Sequence, residues 1–231
     1  MSLFSRKPKR PREIRTPNDG LRMYSALTHG IGALLACVAT GVLITLSALA
    51  GGEVAKAIVS YAVYGATLIG LYTASTLYHC IPAGEKGRKA LRKVDHIMIY
   101  MLIAGTYTPI CLVGMEGAWG WSIFGVIWGL AVAGSLVKIF WIHAPRWVAA
   151  AAYIGMGWMI VVAIVPMLRT IGGLALLWLG LGGLFYTVGG LLYALRWPGK
   201  ERKYFGFHEV FHIFIMLGSV CHYAMMICLI Y

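Results

Sequence analysis

His208 and His212 stand four residues apart in the stretch His208-Glu209-Val210-Phe211-His212. On a helix, side chains at that spacing share a face one turn apart, so both imidazoles can bind a single metal ion. A second stretch, Ser75-Thr76-Leu77-Tyr78-His79, repeats the spacing with a serine and a histidine, and Asp95-His96 adds a carboxylate. A third imidazole from a separate helix, His79, would complete a three-ligand Zn2+ site with a position left for water. Such sites lower the pKa of that water to roughly 7. Asp95 is then the candidate to orient or deprotonate the water, and Ser75 the candidate to hydrogen-bond it or a substrate oxygen.

These residues are more than a hundred positions apart, so the chain between them must bring them together. It is 60% hydrophobic and only 12% charged, against roughly 25% charged in an average soluble domain. A membrane-spanning helix needs roughly 20 mostly apolar residues. Seven runs qualify, at about 26–50, 55–80, 96–115, 119–140, 147–167, 172–195 and 207–230. The expected fold class is all-α, a seven-transmembrane helical bundle over 23–231, preceded by a basic, flexible tail at 1–22. Helix direction then gathers the chemistry. The second run ends near His79, the third begins near Asp95 and the seventh begins near His208, so all three stretches share one membrane face.

The net charge of +12 first suggests nucleic acid, but its distribution points to a membrane instead. Of 20 Lys and Arg, only Lys56 and Arg169 fall on the face opposite the histidines. By the positive-inside rule the N-terminus is cytoplasmic and the C-terminus lies outside. The expected partners are membrane lipids and the anionic headgroups of the cytoplasmic face, with no nucleic acid. The five cysteines show no paired spacing and read as small apolar fillers.

Local signals add detail. Pro82 stops the second helix, and Asp95 opens the third, where a carboxylate suits the positive end of the helix dipole. Pro109 predicts a kink, with threonine hydroxyls partnering the freed carbonyls. Gly125 and Gly129, and Gly182, Gly183, Gly189 and Gly190, are packing surfaces for neighbouring helices, within one bundle or in a homo-oligomer. Glu209 could reach a metal or face the headgroups. The literal H-E-x-x-H match raises a zinc metalloprotease, although no second motif of intramembrane proteases accompanies it. His96 is expected to point away from the Asp95 cluster, His29 to support it from the first helix, and His143 to be solvated. His222 lies roughly 15 Å past His212 along its helix, where Ser219 or Tyr223 would partner it.

In order along the chain, His29-Gly30-Ile31-Gly32, Ala74 to His79, Asp95-His96 with Tyr100, Ala104 to Pro109, Gly206 to His212, and Gly218-Ser219 with His222-Tyr223 resemble the hemolysin III family. That family is the bacterial branch of the progestin and adipoQ receptor superfamily. The resemblance covers nearly all of 24–231. It implies seven helices in a bacterial inner (cell) membrane, with zinc held near the cytoplasmic face by His79, His208 and His212, and Ser75 and Asp95 beside the bound water. Alkaline ceramidases and adiponectin receptors in the same superfamily are similar in these motifs, which implies lipid amide hydrolysis. Relatives often carry an acidic pair seven or eight residues before the first-span histidine, where this chain has Leu21 and Arg22.

The function expected on these grounds is a zinc membrane protein acting on or sensing membrane lipids, with a ceramidase-like hydrolase as its most concrete form. The alternatives are a non-catalytic, zinc-braced sensor and a lytic or channel protein.

Overall fold

The computed structural model describes residues 21–115, 117–199 and 206–231. Of the expected tail, only Leu21 and Arg22 fall among them. Seven helical spans long and apolar enough to cross a membrane follow one another. They are α1 (Met23–Ala50), α2 (Val54–Cys80), α3 (Glu85–Pro109, continued by a π-helical turn, Ile110–Gly114), α4 (Gly117–Phe140), a broken fifth span, α7 (Gly173–Leu195) and α8 (Phe207–Ile230). The fifth consists of α5 (Arg146–Gly157), a 3-10 turn (Trp158–Ala163) and α6 (Ile164–Thr170). Successive spans pack as neighbours, and α1 against α8 closes the ring.

The lipid-facing surface is apolar because no water is there to be excluded from. Leu34, Val38 and Leu168 are among the exposed large side chains. The interior is built from larger and more polar residues, including Tyr61, Tyr64, Ile110, Met225 and Met226, all under 2% exposed. Gly51 and Gly52 make the tight α1–α2 turn at φ of 81° and 71°, a backbone region open to glycine without steric cost.

Two elements depart from the sequence reading. First, α3 begins at Glu85, ten residues before Asp95. The Lys and Arg residues between Glu85 and Val94 read as a loop by charge alone, yet they are straight-chain helix formers. Arg88 also lays its guanidinium 4.9 Å from the centre of the Tyr78 ring on α2. Asp95 is therefore roughly 15 Å into its helix, too far for the dipole at the helix start to act on it. Second, the threonines beside Pro109 donate to the Leu102 and Ala104 carbonyls, at 2.8 and 3.0 Å, rather than to that of Gly105. The missing proline N–H is accommodated by the wider π turn that follows.

The break in the fifth span is stitched by one phenol. The Tyr107 hydroxyl donates to the Gly157 carbonyl at 2.6 Å and accepts the Ile160 N–H at 2.8 Å. Away from water, backbone groups released by a helix break need such partners. Another knot joins three helices. The hydroxyl of Ser219 on α8 accepts from Tyr72 of α2 at 2.8 Å and lies 2.9 Å from the Tyr186 hydroxyl of α7. A Cβ on Gly218 would collide with the Tyr186 ring, so glycine there admits the phenol.

The glycines divide. Gly182 faces His222, Gly189 faces Phe214 and Gly190 faces Ile154, which makes α7 a packing surface as expected. A Cβ added at Gly125 or Gly129 would meet no other atom within 4 Å, so among the described residues these two serve no helix contact.

Candidate metal centre

His79 sits in the last turn of α2, and His208 and His212 in the first two turns of α8. The two helices run in opposite directions, so these turns meet at one end of the bundle. Each of the three rings offers a nitrogen, and those nitrogens all lie within 4.8 Å of one another. The His79 ring centroid is 4.8 Å from that of His208 and 5.2 Å from that of His212, and the two α8 rings are 4.6 Å apart. The Nε2 atoms of His79 and His208 approach to 3.0 Å. Tetrahedral donors about 2.0–2.1 Å from one zinc ion stand about 3.4 Å apart, close to the 3.0 Å of the His79–His208 pair. Three convergent imidazoles are a donor set that suits zinc. His79 and His212 are both 2% exposed, which removes competing water.

His29 of α1 does not aim at this cluster. Its ring lies flat on His212, with centroids 3.6 Å apart and planes 8° from parallel, and Tyr72 meets it edge-on at 5.0 Å. It acts as a backing plate that fixes the His212 ring.

Ser75, Asp95, His208 and His212 line one cavity of about 300 Å³. From that polar end it runs between the helices to Val161, Met167 and Leu168, so most of its length is apolar. Asp95 is not part of the three-ring cluster. Its Oδ2 lies 3.2 Å from Nδ1 of His96, which corrects the expectation that His96 points elsewhere. The carboxylate and its neighbouring ring form a pair on the cavity wall. His143 is exposed, as expected.

Glu209 takes neither of the roles offered to it by the sequence. It is 3% exposed. Its Oε1 accepts from Arg22 Nη1 and from Ser25 Oγ, both at 3.0 Å, and its Oε2 accepts the Gly206 N–H at 2.8 Å. A carboxylate so occupied is not placed as the general base of a metalloprotease, and the Glu209 of H-E-x-x-H here serves as a helix cap. Nothing in the sequence signals the Arg22 partner, because the two residues are 187 positions apart. His222 also departs from expectation. Its ring packs edge-on against Tyr186 at 5.1 Å, and neither nitrogen has a hydrogen-bond partner among the described residues.

Comparison with known proteins agrees with the constellation. The family described as "Haemolysin-III related" matches residues 22–223, which include every residue of the cluster and the cavity lining. The chain is 39% identical over 195 residues to "Hemolysin-3" of Bacillus cereus, an alignment covering 84% of this chain and 85% of that one. It is 36% identical over 207 residues to the "Hemolysin-3 homolog" of Bacillus subtilis (strain 168), covering 90% and 92%. A more distant likeness, 25% over 169 residues and 70% of this chain, is to the human "Monocyte to macrophage differentiation factor", which fits the wider progestin and adipoQ receptor superfamily. With the match spanning almost the whole bundle, the chain belongs to the haemolysin-III-related family of multi-pass integral membrane proteins.

Proposed function

We propose that this protein is a zinc-dependent hydrolase of lipid amides, with its basic face toward the cytoplasm. The observation that carries the reading is the meeting of three histidine nitrogens within 4.8 Å beside a largely apolar cavity that His208 and His212 line together with Ser75 and Asp95. His79, His208 and His212 would hold the ion, which when bound supplies Lewis acidity toward a carbonyl and acidifies water. The remaining steps belong to the chain's own groups. The apolar walls take the acyl chain and exclude bulk water. Ser75 donates a hydrogen bond to the substrate carbonyl oxygen. The Asp95 carboxylate, beside the His96 ring, accepts a proton from the attacking water and returns it to the departing amine nitrogen.

The test is turnover of an N-acyl sphingoid substrate by purified protein of measured zinc content. Zinc-loaded wild type that releases no fatty acid from any N-acyl lipid supplied would end the hydrolase reading.

A second reading is favoured by the same geometry. The cluster joins the end of α2 to the start of α8, so zinc there would brace the bundle and make lipid occupancy of the cavity a mechanical signal. Chelation would then lower the melting temperature sharply while wild-type protein turns over no substrate.

A further inference from the structure

The wall of the cavity carries charge that the hydrolytic reading does not use. Arg92 of α3, Lys138 of α4 and Arg146 of α5 all line it, at the end that holds Asp95 and His208. Lys138 is 2% exposed, and its Nζ lies 6.0 Å from the centre of the Tyr153 ring. That phenol in turn donates to the His96 carbonyl at 3.1 Å, which ties the lysine's surroundings to the Asp95 segment. Arg146 spreads its guanidinium over Phe207 at 5.1 Å and Tyr193 at 5.5 Å, and its Nη1 is buried without a hydrogen-bond partner among the described residues.

Among the described residues no carboxylate lies within 4.0 Å of any of these cations, the ion pairs being Arg22–Glu209 and Lys56–Glu53. Asp95 is the single carboxylate among the described residues of the cavity wall, and its Oδ2 lies beside His96 Nδ1, at 3.2 Å. Basic residues that only set membrane orientation end in water or among headgroups. Lys138 is instead enclosed, and a buried ammonium without a counter-charge is costly.

We infer that Arg92, Lys138 and Arg146 form a receptor for the phosphomonoester end of a lipid whose chain occupies the same cavity. This rests on the lipid reading above and narrows it from neutral to anionic lipids. The charge balance favours a phosphomonoester. Among the described residues three fixed cations facing one carboxylate leave an excess of about two, and a phosphomonoester carries about −1.5 to −2 at neutral pH. The chemistry also matches: guanidinium groups bind phosphate oxygens in pairs, and a lysine adds a point charge. Basic pockets between transmembrane helices at the headgroup level are suited to such groups. The apolar continuation toward Met167 and Leu168 assigns the phosphate to a lipid and not to the free ion.

The full chain, purified in dodecyl maltoside, is incubated with phosphatidic acid or with diacylglycerol of the same acyl chains, and lipid retained is measured by native mass spectrometry. Wild type is expected to retain phosphatidic acid roughly tenfold better than diacylglycerol, a difference that one or two charge-assisted contacts supply. Lys138→Met and Arg146→Gln should each remove about that factor and leave diacylglycerol unchanged, whereas Lys89→Met, on the exposed face of α3, should change neither. If Lys138→Met does not purify as a folded species, Arg146→Gln carries the test. Equal retention of the two lipids, or phosphatidic acid retention untouched by the folded variants, overturns the assignment. Inorganic phosphate in excess that clears phosphatidic acid completely would assign the site to the free anion and overturn the lipid. Zinc is measured on the same samples. Metal-free protein that still selects phosphatidic acid sinks the hydrolase and leaves the receptor standing, and zinc-loaded protein indifferent to the phosphate does the reverse.

Discussion

Arg22 holds both walls of the histidine cluster at once: its guanidinium lies 3.0 Å from Glu209 Oε1, and its backbone N–H donates to the His79 carbonyl at 3.1 Å. Glu209 is the neighbour of one candidate ligand, and the carbonyl belongs to another. The residue just before α1 therefore latches the end of α2 to the start of α8.

Replacing Arg22 with glutamine leaves the Glu209 carboxylate with only Ser25 and Gly206 as donors. A loss of about 1–3 kcal/mol is expected from a buried charge deprived of one partner. It should appear as a lower melting temperature in detergent, and adding Glu209→Gln should recover part of it. Unchanged melting of the Arg22→Gln protein would show that the latch adds nothing to stability.

Zinc content should follow the three rings. Purified wild type is expected to carry zinc, His79→Ala and His212→Ala to lose it to background, and His143→Ala to keep it, because that ring is exposed and far along the chain. Elemental analysis decides this, and metal retained after loss of His212 would displace that residue from the ligand set.

Asp95→Asn keeps the shape of the side chain and removes its capacity to take a proton. Zinc content should be unchanged while amide hydrolysis falls by about 10²–10⁴, the range for loss of a general base. Full activity in the asparagine variant would reassign the proton to another group.

Tyr107→Phe deletes the hydroxyl that bridges the broken fifth span. The Ile160 N–H and the Gly157 carbonyl would be left without that partner inside a membrane span, at a cost of about 1–3 kcal/mol. Thermal unfolding should shift down, with faster hydrogen exchange confined to Trp158–Ala163. Exchange that rises uniformly would argue against a local role.

Much of this organisation is legible from the chain. Seven long apolar runs are hard to mistake, because hydrocarbon demands helices of nearly fixed length. The direction of each then places Ser75, His79, Asp95, His208 and His212 at one end without knowledge of packing. The charged first turns of α3 escape sequence reading because Lys and Arg suit both a solvated loop and a helix. The 3-10 break after Gly157 leaves no mark, since its stabilising partner, Tyr107, lies on another span. Side-chain pairs such as Arg22 with Glu209, His29 with His212, and Asp95 with His96 depend on rotation of one helix against another, or on a rotamer. Spacing alone carries neither.

The hydroxyl shared by Tyr72 and Tyr186 at Ser219 makes α2, α7 and α8 a single stiff frame. Sliding α8 would strand both phenols in hydrocarbon, and sliding α2 or α7 would strand one, so that side of the bundle resists yielding. Whatever widens the interior to admit a bulky guest must come from the opposite wall, where α5 leans on α3. A covalent tether between α3 and α5 should therefore block entry, while one between α7 and α8 should leave it untouched.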